Sequence, residues 1–199
     1  MKTKLFVSLW SRLSNSATCL TVDRSGNAAT EFAIIVPIML VMFFGTVEFS
    51  SGVAVDRKVT LMARTLSDLT SQSKSVADAD LTNFFAASKA IMTPYPSTPT
   101  QSTISELYVD ASLNVRVQWS KGNAPRVAGS AVTIPAALKV ASTYLIFSEV
   151  SYRYVPAVGY VMAPAGINLS DVSYTRPRQS SCVIYPTPTS GTTPACPTT

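Results

Sequence analysis

Residues 26–47 read GNAATEFAIIVPIMLVMFFGTV, and between Arg24 and Glu48 the only ionisable side chain is that of Glu31. A helix over the 20 residues from Ala28 to Val47 would be about 30 Å long, close to the thickness of the hydrocarbon core of a bilayer. A secretory signal peptide usually has a shorter apolar region followed by a small-residue cleavage site. We therefore predict a transmembrane anchor that stays in the mature protein and contacts the lipid bilayer.

The charge distribution predicts how this span is oriented. The 199-residue chain carries a net charge of +5, of which the residues before Ser25 contribute +3. Because basic flanks of a span stay in the cytoplasm, we expect the N-terminus inside and the residues after Ser50 outside. The outer part has no cluster of basic and aromatic residues, which argues against a nucleic-acid partner.

The cysteines follow the same division. Cys19 lies on the predicted cytoplasmic side, whereas Cys182 and Cys196 lie on the oxidising side and can form one disulfide. Closing a loop of about 15 residues would stabilise the C-terminal tail by about 3 kcal/mol. Residues 1–24 contain a short apolar patch, which is either part of a cytoplasmic leader or an amphipathic helix on the inner surface.

Glu31 is the fifth residue after Gly26, and the residues between them are small or polar. Glycine leaves a scissile bond sterically open. A charged group within a bilayer is costly, so such a residue near a span usually has a function. The simpler alternative is that Glu31 lies at the headgroup level and extends its carboxylate toward water.

This spacing resembles the processing site of type IV prepilins, in which a membrane aspartyl peptidase cuts after a glycine. The resemblance implies a cut between Gly26 and Asn27 by a prepilin peptidase. It also implies that Glu31 neutralises the new α-amino group or pairs with the amine of a neighbouring subunit.

Residues 31–49, EFAIIVPIMLVMFFGTVEF, are similar to the TadE-like family of the tight adherence (Tad, or Flp-type) pilus system, and the similarity extends to about Arg64. The matching positions are Glu31, Phe32, Ala33, Pro37, Gly45, Glu48 and Phe49. The resemblance implies a minor pilin or pseudopilin in a bacterial inner membrane, with a periplasmic C-terminal domain. Its implied partners are sibling pilin subunits and an inner-membrane assembly platform. Major pilins of this system have tyrosine after the glutamate, so Phe32 indicates a minor subunit.

After the span, apolar and small residues recur at alternating spacings of four and three, which predicts one long helix over residues 50–76. The seam consists of Val55, Val59, Met62, Leu66, Leu69, Ser73 and Val76. It can pack on sibling subunits or on the chain's own sheet. A second helix is predicted from Asp80 to Met92, with Asp78 or Asp80 as its N-cap.

From residue 104 onward the apolar period changes to two, which predicts β-strands. Leu113, Val115, Val117 and Trp119 alternate with polar residues, and 121–123 is a predicted turn. The other predicted strands are 104–110, 142–155, 159–163 and 167–174, and a single helical turn is predicted after Pro135.

We therefore predict an α+β protein whose N-terminal transmembrane helix continues into a long amphipathic helix before an antiparallel sheet of four or five strands, as in pilins. The expected parts are a basic cytoplasmic leader (1–26), the transmembrane helix (27–49), a helical stalk outside the membrane (50–92), a β-rich domain (93–185) and a Pro/Thr-rich tail (186–199).

The sequence offers little for catalysis. Histidine is absent, which excludes Ser-His-Asp triads and the zinc-protease helix motif. The string from Ser71 to Lys74 matches Ser-x-x-Lys but lacks the accompanying motifs of penicillin-binding enzymes. Asp78 and Asp80 are typical of a helix start. We expect a protein that is not an enzyme and has no metal or cofactor; the alternative to a pilin is a single-pass envelope-anchored binding protein that no prepilin peptidase processes.

Overall fold

The computed structural model describes residues 25–156, 166–186 and 196. Helix α1 covers Ser25–Ser71 and helix α2 covers Asp78–Ala90. The strands are β1 (Thr100–Val109), β2 (Val115–Gly122), β3 (Thr143–Tyr154) and β4 (Ile167–Thr175). A 3₁₀ turn at Ala136–Leu138 follows Pro135, where a single helical turn is predicted. Residues 1–24 of the predicted leader and most of the tail, together with the predicted strand 159–163, lie outside the described residues.

The four strands form one antiparallel sheet in the order β2-β1-β3-β4. This arrangement, after a long N-terminal helix, confirms the predicted α+β class. Residue contacts divide the chain within α1 into two compact units, Met1–Val47 and Glu48–Thr199. The sheet and α2 belong to the second unit, together with the part of α1 that follows Val47.

The hairpin between β1 and β2 differs from the prediction. Leu113 does not lie in the strand but in the turn, with a φ of 63°, and it is exposed. The carboxylate of Asp110 accepts the backbone N–H groups of Ser112 and Asn114, both at 2.8 Å, and thereby fixes this turn. The turn expected at 121–123 is wrong in position, since β2 continues to Gly122.

The prediction that Val115, Val117 and Trp119 share one face of β2 is wrong, because β2 pairs with β1 through a β-bulge. The pairing register of β1 with β2 shifts between Glu106 and Leu107, so one extra residue reverses the alternation. Val115 and Val117 therefore pack with Leu107 on one face of the sheet. Trp119 packs with Leu66 of α1 on the other face.

The apolar seam of α1 packs on the chain's own sheet. Val55, Val59 and Met62 are fully buried in a cluster with residues of β3, and Leu66 is buried against β1, β2 and β3. The Ser148 hydroxyl of β3 donates to the carbonyl of Ala63 at 2.6 Å. From Val55 to Leu66 the seam therefore packs on the chain's own sheet, which is one of the two predicted alternatives.

Helix α1 ends at Ser71, five residues earlier than predicted. The carbonyl of Ser71 accepts the backbone N–H of Arg178 at 2.8 Å instead of an N–H of the following turn, and the N–H of Val76 donates to the carbonyl of Ile184 at 2.9 Å. Ser73 therefore lies beyond the helix, although Val76 is still buried.

Helix α2 begins earlier than predicted, and neither aspartate is its N-cap. The N-cap is Ala77. Its backbone N–H donates to the Asp80 carboxylate at 2.9 Å, which satisfies one N-terminal donor from the third helical position. Leu81 is buried, and Phe84 and Phe85 pack against the same cluster as Leu66 and Trp119.

Candidate functional site

The first part of α1 exposes its apolar side chains. Within Ala28–Ser71 an 18-residue window reaches a mean hydropathy of 2.2, and none of that window is buried. Phe32 is 67 % exposed and Val41 73 % exposed. A helix that is long and apolar all round normally lies in a membrane or among other helices. These observations suggest that the helix anchors the protein in a membrane.

The predicted processing residues lie at the start of this helix. Gly26 and Asn27 are in the first turn of α1, which begins at Ser25. Among the described residues, a Cβ atom added at Gly26 would meet nothing within 4 Å, so this part of the structure does not require a glycine there. Glu31 follows Asn27 by four residues, which places the two positions on the same helical face about 6 Å apart along the axis.

In the described structure, the motif residues Pro37 and Gly45, which lie inside the span, are also not packed against other parts of the chain. A Cβ atom at Gly45 would meet nothing within 4 Å. Pro37 lies inside α1, and the helix continues through it. Because proline lacks an N–H, the carbonyl of Ala33 loses its usual helical partner.

Glu48 joins α1 to the end of β3. Its carboxylate accepts the hydroxyl of Tyr154 at 3.0 Å. Burial, and next the bond to Glu48, raise the pKa of Tyr154 to about 12, so this phenol stays protonated and remains the donor. The sequence marks Glu48 as a motif residue but gives no indication of Tyr154, which lies 106 residues away.

Phe49, the last motif residue, is 75 % exposed. It lines a mostly apolar groove of about 390 Å³ that also contains Gly52, Val53 and Leu169. The exposed side chain of Phe49 therefore has apolar surface beside it within the second compact unit.

The sheet buries one carboxyl group that the sequence analysis missed. Glu106 of β1 is 0 % exposed. Its oxygens accept the backbone N–H of Val183 at 2.6 Å and the indole N–H of Trp119 at 3.0 Å. Burial raises the pKa of Glu106 to about 8, although both hydrogen bonds act in the opposite direction. Alternation along β1 places Ile104 and Glu106 on one face, and this signal could have indicated the burial.

Glu106 and its neighbours hold the C-terminal segment on the sheet. The indole N–H of Trp119 also donates to the carbonyl of Val183 at 2.7 Å. The preceding residue, Cys182, is buried and forms a disulfide with Cys196, with a Cα–Cα distance of 5.8 Å. Together with the backbone hydrogen bonds that join Ile184 to Lys74 and Val76, these contacts hold residues 182–184 against β1, β2 and the segment that follows α1.

The residues considered for catalysis have structural partners. Ser71 is buried at the end of α1 and its hydroxyl donates to the carbonyl of Asp68, whereas Lys74 is exposed beyond the helix. Asp78 accepts the Tyr185 hydroxyl at 2.8 Å and forms an ion pair with Lys121. Within the described ranges no group of three or more His, Cys, Asp or Glu side chains is placed to hold a metal ion.

Comparison with known proteins gives a match for the helix alone. The family model described as TadE-like protein matches residues 26–66. No curated protein and no solved structure matches the chain. The matched range contains all seven motif positions and ends at the buried Leu66 of α1, which confirms the resemblance found in the sequence. The family consists of structural proteins with pilin-type partners in a membrane context. Residues 26–66 of the chain are therefore a TadE-like segment, and the TadE-like family is associated with the Tad pilus.

Proposed function

We propose that the protein is a minor pilin or pseudopilin that takes part in assembling a Tad-type pilus or a related secretion machine. The observation that carries this proposal is the exposed TadE-like helix, with Glu31 one turn after Asn27. Phe32 and Gly45 belong to its motif, yet the described structure gives them no packing role. Their function therefore lies in contacts with lipid and with other subunits.

A prepilin peptidase is the first proposed partner and cuts between Gly26 and Asn27. Both residues lie in the first turn of α1. The N–H groups of a first turn have no intrahelical acceptors, and glycine lowers helix stability by about 1 kcal/mol. This turn can therefore open to present an extended bond. In this proposal the basic leader lies in the cytoplasm and the sheet domain in the periplasm.

Glu31 acts after that cut. The new α-amino group on Asn27 is positive, and the carboxylate one turn away can neutralise it. An ion pair is far more favourable in a bilayer than either separate charge. When the helix packs beside a sibling subunit, Glu31 can pair with the amine of that subunit and fix the axial register of the two helices.

The association surface lies before Val55. From Val55 to Leu66 the seam is buried by the chain's own sheet, so it offers no surface to a sibling. Apart from the half-buried Val36 and Glu48, the residues from Phe32 to Phe49 are exposed, and a Cβ atom at Gly45 would meet nothing within 4 Å. A small residue allows two helix backbones to approach closely in a membrane. We therefore assign subunit contacts and contacts with the assembly platform to the span.

The substitution Glu31→Gln tests this mechanism. It keeps the shape of the side chain and removes the charge, so we expect normal membrane insertion and at least tenfold less protein in sheared pilus fractions. The measurement is quantitative immunoblotting of membrane and pilus fractions from cells that carry the full pilus system.

Asp56→Asn is the matched control, because Asp56 is an exposed acid of the same helix outside the motif. We expect it to leave both fractions unchanged. Normal incorporation of the Glu31→Gln protein would contradict the charge pairing. Absence of the wild-type protein from assembly, with piliation unaffected by its deletion, would favour an envelope-anchored binding protein.

A further inference from the structure

An apolar groove lies where β3 ends and β4 begins, beside helix α1. Its volume is about 390 Å³, and its lining includes Phe49 and Val53 of α1 and Ile167 and Leu169 of β4. Phe49 is 75 % exposed and Ile167 is 50 % exposed. Two segments that are distant in sequence therefore form one exposed apolar surface, and such surfaces mark contacts with a membrane or with another protein.

The packing of α1 on β3 shows which end of the sheet carries this groove. The carboxylate of Glu48 accepts the hydroxyl of Tyr154 at the end of β3, and a Cβ atom at Gly52 would lie 3.7 Å from the Tyr154 ring. Farther along α1, the carbonyl of Ala63 accepts the hydroxyl of Ser148, six residues earlier in β3. Helix α1 therefore runs antiparallel to β3, and the groove lies at the end of the sheet where α1 first contacts it.

The groove begins close to the end of the apolar run of α1. The helix is continuous from Ser25 to Ser71, so Phe49 and Val53 lie about 3 Å and 9 Å beyond Val47 along the helix axis. Each headgroup layer of a bilayer is about 5–8 Å thick. When the run from Ala28 to Val47 fills the hydrocarbon core, these positions lie in the headgroup layer or at its outer edge.

The polar groups of the groove suit a lipid surface without net charge. The lining contains the carboxylates of Glu48 and Asp56, and none of its described residues is basic. Carboxylates repel anionic headgroups but are compatible with the ammonium group of a zwitterionic phospholipid. Tyr154 also lines the groove, and tyrosine is enriched at the interface between membrane and water.

We propose that this end of the sheet rests on the membrane surface and that zwitterionic phospholipid fills the groove. Phe49, Val53 and Ile167 contact the upper part of the acyl chains, and the Tyr154 hydroxyl stays at the level of the headgroups. The contact holds the sheet at a fixed height beside its own anchor. The proposal rests on membrane insertion of α1, which belongs to the proposed function, and it does not require cleavage after Gly26 or assembly of a pilus.

Fluorescence quenching tests the proposal on the full-length chain in phosphatidylcholine vesicles. A bimane fluorophore is attached to the Ile167→Cys protein in a Cys19→Ser background, which leaves the Cys182–Cys196 disulfide intact. One quencher is iodide, present on both sides of the membrane, and the other is phosphatidylcholine with a nitroxide on its headgroup. We expect strong quenching by the nitroxide lipid and weak quenching by iodide.

Leu113→Cys carries the same fluorophore as the matched control. Leu113 is 45 % exposed, nearly as much as Ile167. It follows β1, whose last residue, Val109, pairs with Thr143 at the start of β3, about 36 Å along the strand from Tyr154. We expect the nitroxide lipid to quench the Ile167 label at least threefold more than the Leu113 label, and iodide to quench it at least threefold less.

A charge in the groove locates the contact. In the protein labelled at Ile167, Phe49→Asp introduces a carboxylate that needs water, so we expect iodide quenching to at least double. Leu61→Asp is the control, because Leu61 is 51 % exposed on the same helix but lies about 21 Å beyond Val47. It should leave the quenching of the Ile167 label unchanged.

Iodide quenching of the Ile167 label equal to that of the Leu113 label would overturn the proposal. An Ile167 label shielded from both quenchers would also overturn it, because protein and not lipid would then cover the groove. Phe49→Asp without effect would remove the groove from the contact. A label at Val41→Cys, within the span, checks insertion separately: full quenching by iodide there would contradict the membrane anchor itself and the proposal with it.

Discussion

Glu106 is an ionisable residue in an unusual environment, because its carboxyl group is fully buried in the sheet. It is fully buried within a strand, although carboxylates are rarely buried unless they are paired with a positive charge. Here its partners are two N–H groups, from Val183 and Trp119. They bind the C-terminal segment to the sheet, so one side chain links β1, β2 and the region of the disulfide. The cost of this arrangement depends on pH.

We predict that the protein loses stability as the pH rises from about 4.5 to about 8. The folded state raises the pKa of Glu106 from 4.5 to about 8, so over this interval the folded chain holds a proton that the unfolded chain releases. The stabilisation is complete below pH 4.5 and is lost as the pH approaches 8. Linkage sets its upper limit at about 5 kcal/mol. Urea unfolding in detergent at pH 5, 6.5 and 8 measures the slope.

Glu106→Gln provides the comparison, because glutamine does not ionise. We expect its unfolding free energy to change less with pH than that of the wild type. Asp56→Asn, at an exposed acid, should retain the wild-type slope. If Glu106→Gln and the wild type show the same slope, the carboxyl of Glu106 does not titrate in this range.

At the scale of elements, the sequence predicts the helices and strands better than their ends. Periodicity suffices for the part of α1 after the span, which buries one face, whereas β1 and β3 are buried on both faces and are recognised by their apolar and β-branched residues. At the end of α1 the carbonyl of Ser71 accepts the N–H of Arg178, which is distant in sequence, and the face of Trp119 depends on a single bulge. Neither feature changes the average periodicity. The same limit applies to the sites, since Glu31 is visible as a motif but Tyr154 and Glu106 acquire their partners only through tertiary contacts.

The seam of α1 gives a prediction with a built-in control. Leu66 is 0 % exposed against the sheet, whereas Leu61 on the same helix is 51 % exposed. We expect Leu66→Ala to lower the unfolding free energy by about 2–5 kcal/mol and Leu61→Ala to change it by less than about 0.5 kcal/mol. Urea unfolding of both variants in detergent measures the difference.

Similar losses in the two variants would contradict intramolecular packing of the seam. A stable Leu66→Ala protein that fails to enter pili would instead assign the distal seam to contacts with sibling subunits.

At the scale of the whole molecule, the match to a known family covers most of helix α1 and does not extend to the sheet. The TadE-like match covers 26–66, so it includes the exposed apolar helix and the part of α1 that the sheet buries. The sheet itself has no matching solved structure. Helix α1 therefore carries the evidence for association with a Tad pilus.

The central claim is that this helix is a prepilin-type segment that a peptidase processes. Its most direct test is the N-terminal residue of the membrane-extracted protein, determined by mass spectrometry in cells that carry the prepilin peptidase and in cells that lack it. We expect an N-terminus at Asn27 in cells that carry the peptidase and the uncut chain in cells that lack it. An uncut N-terminus in both strains would contradict it.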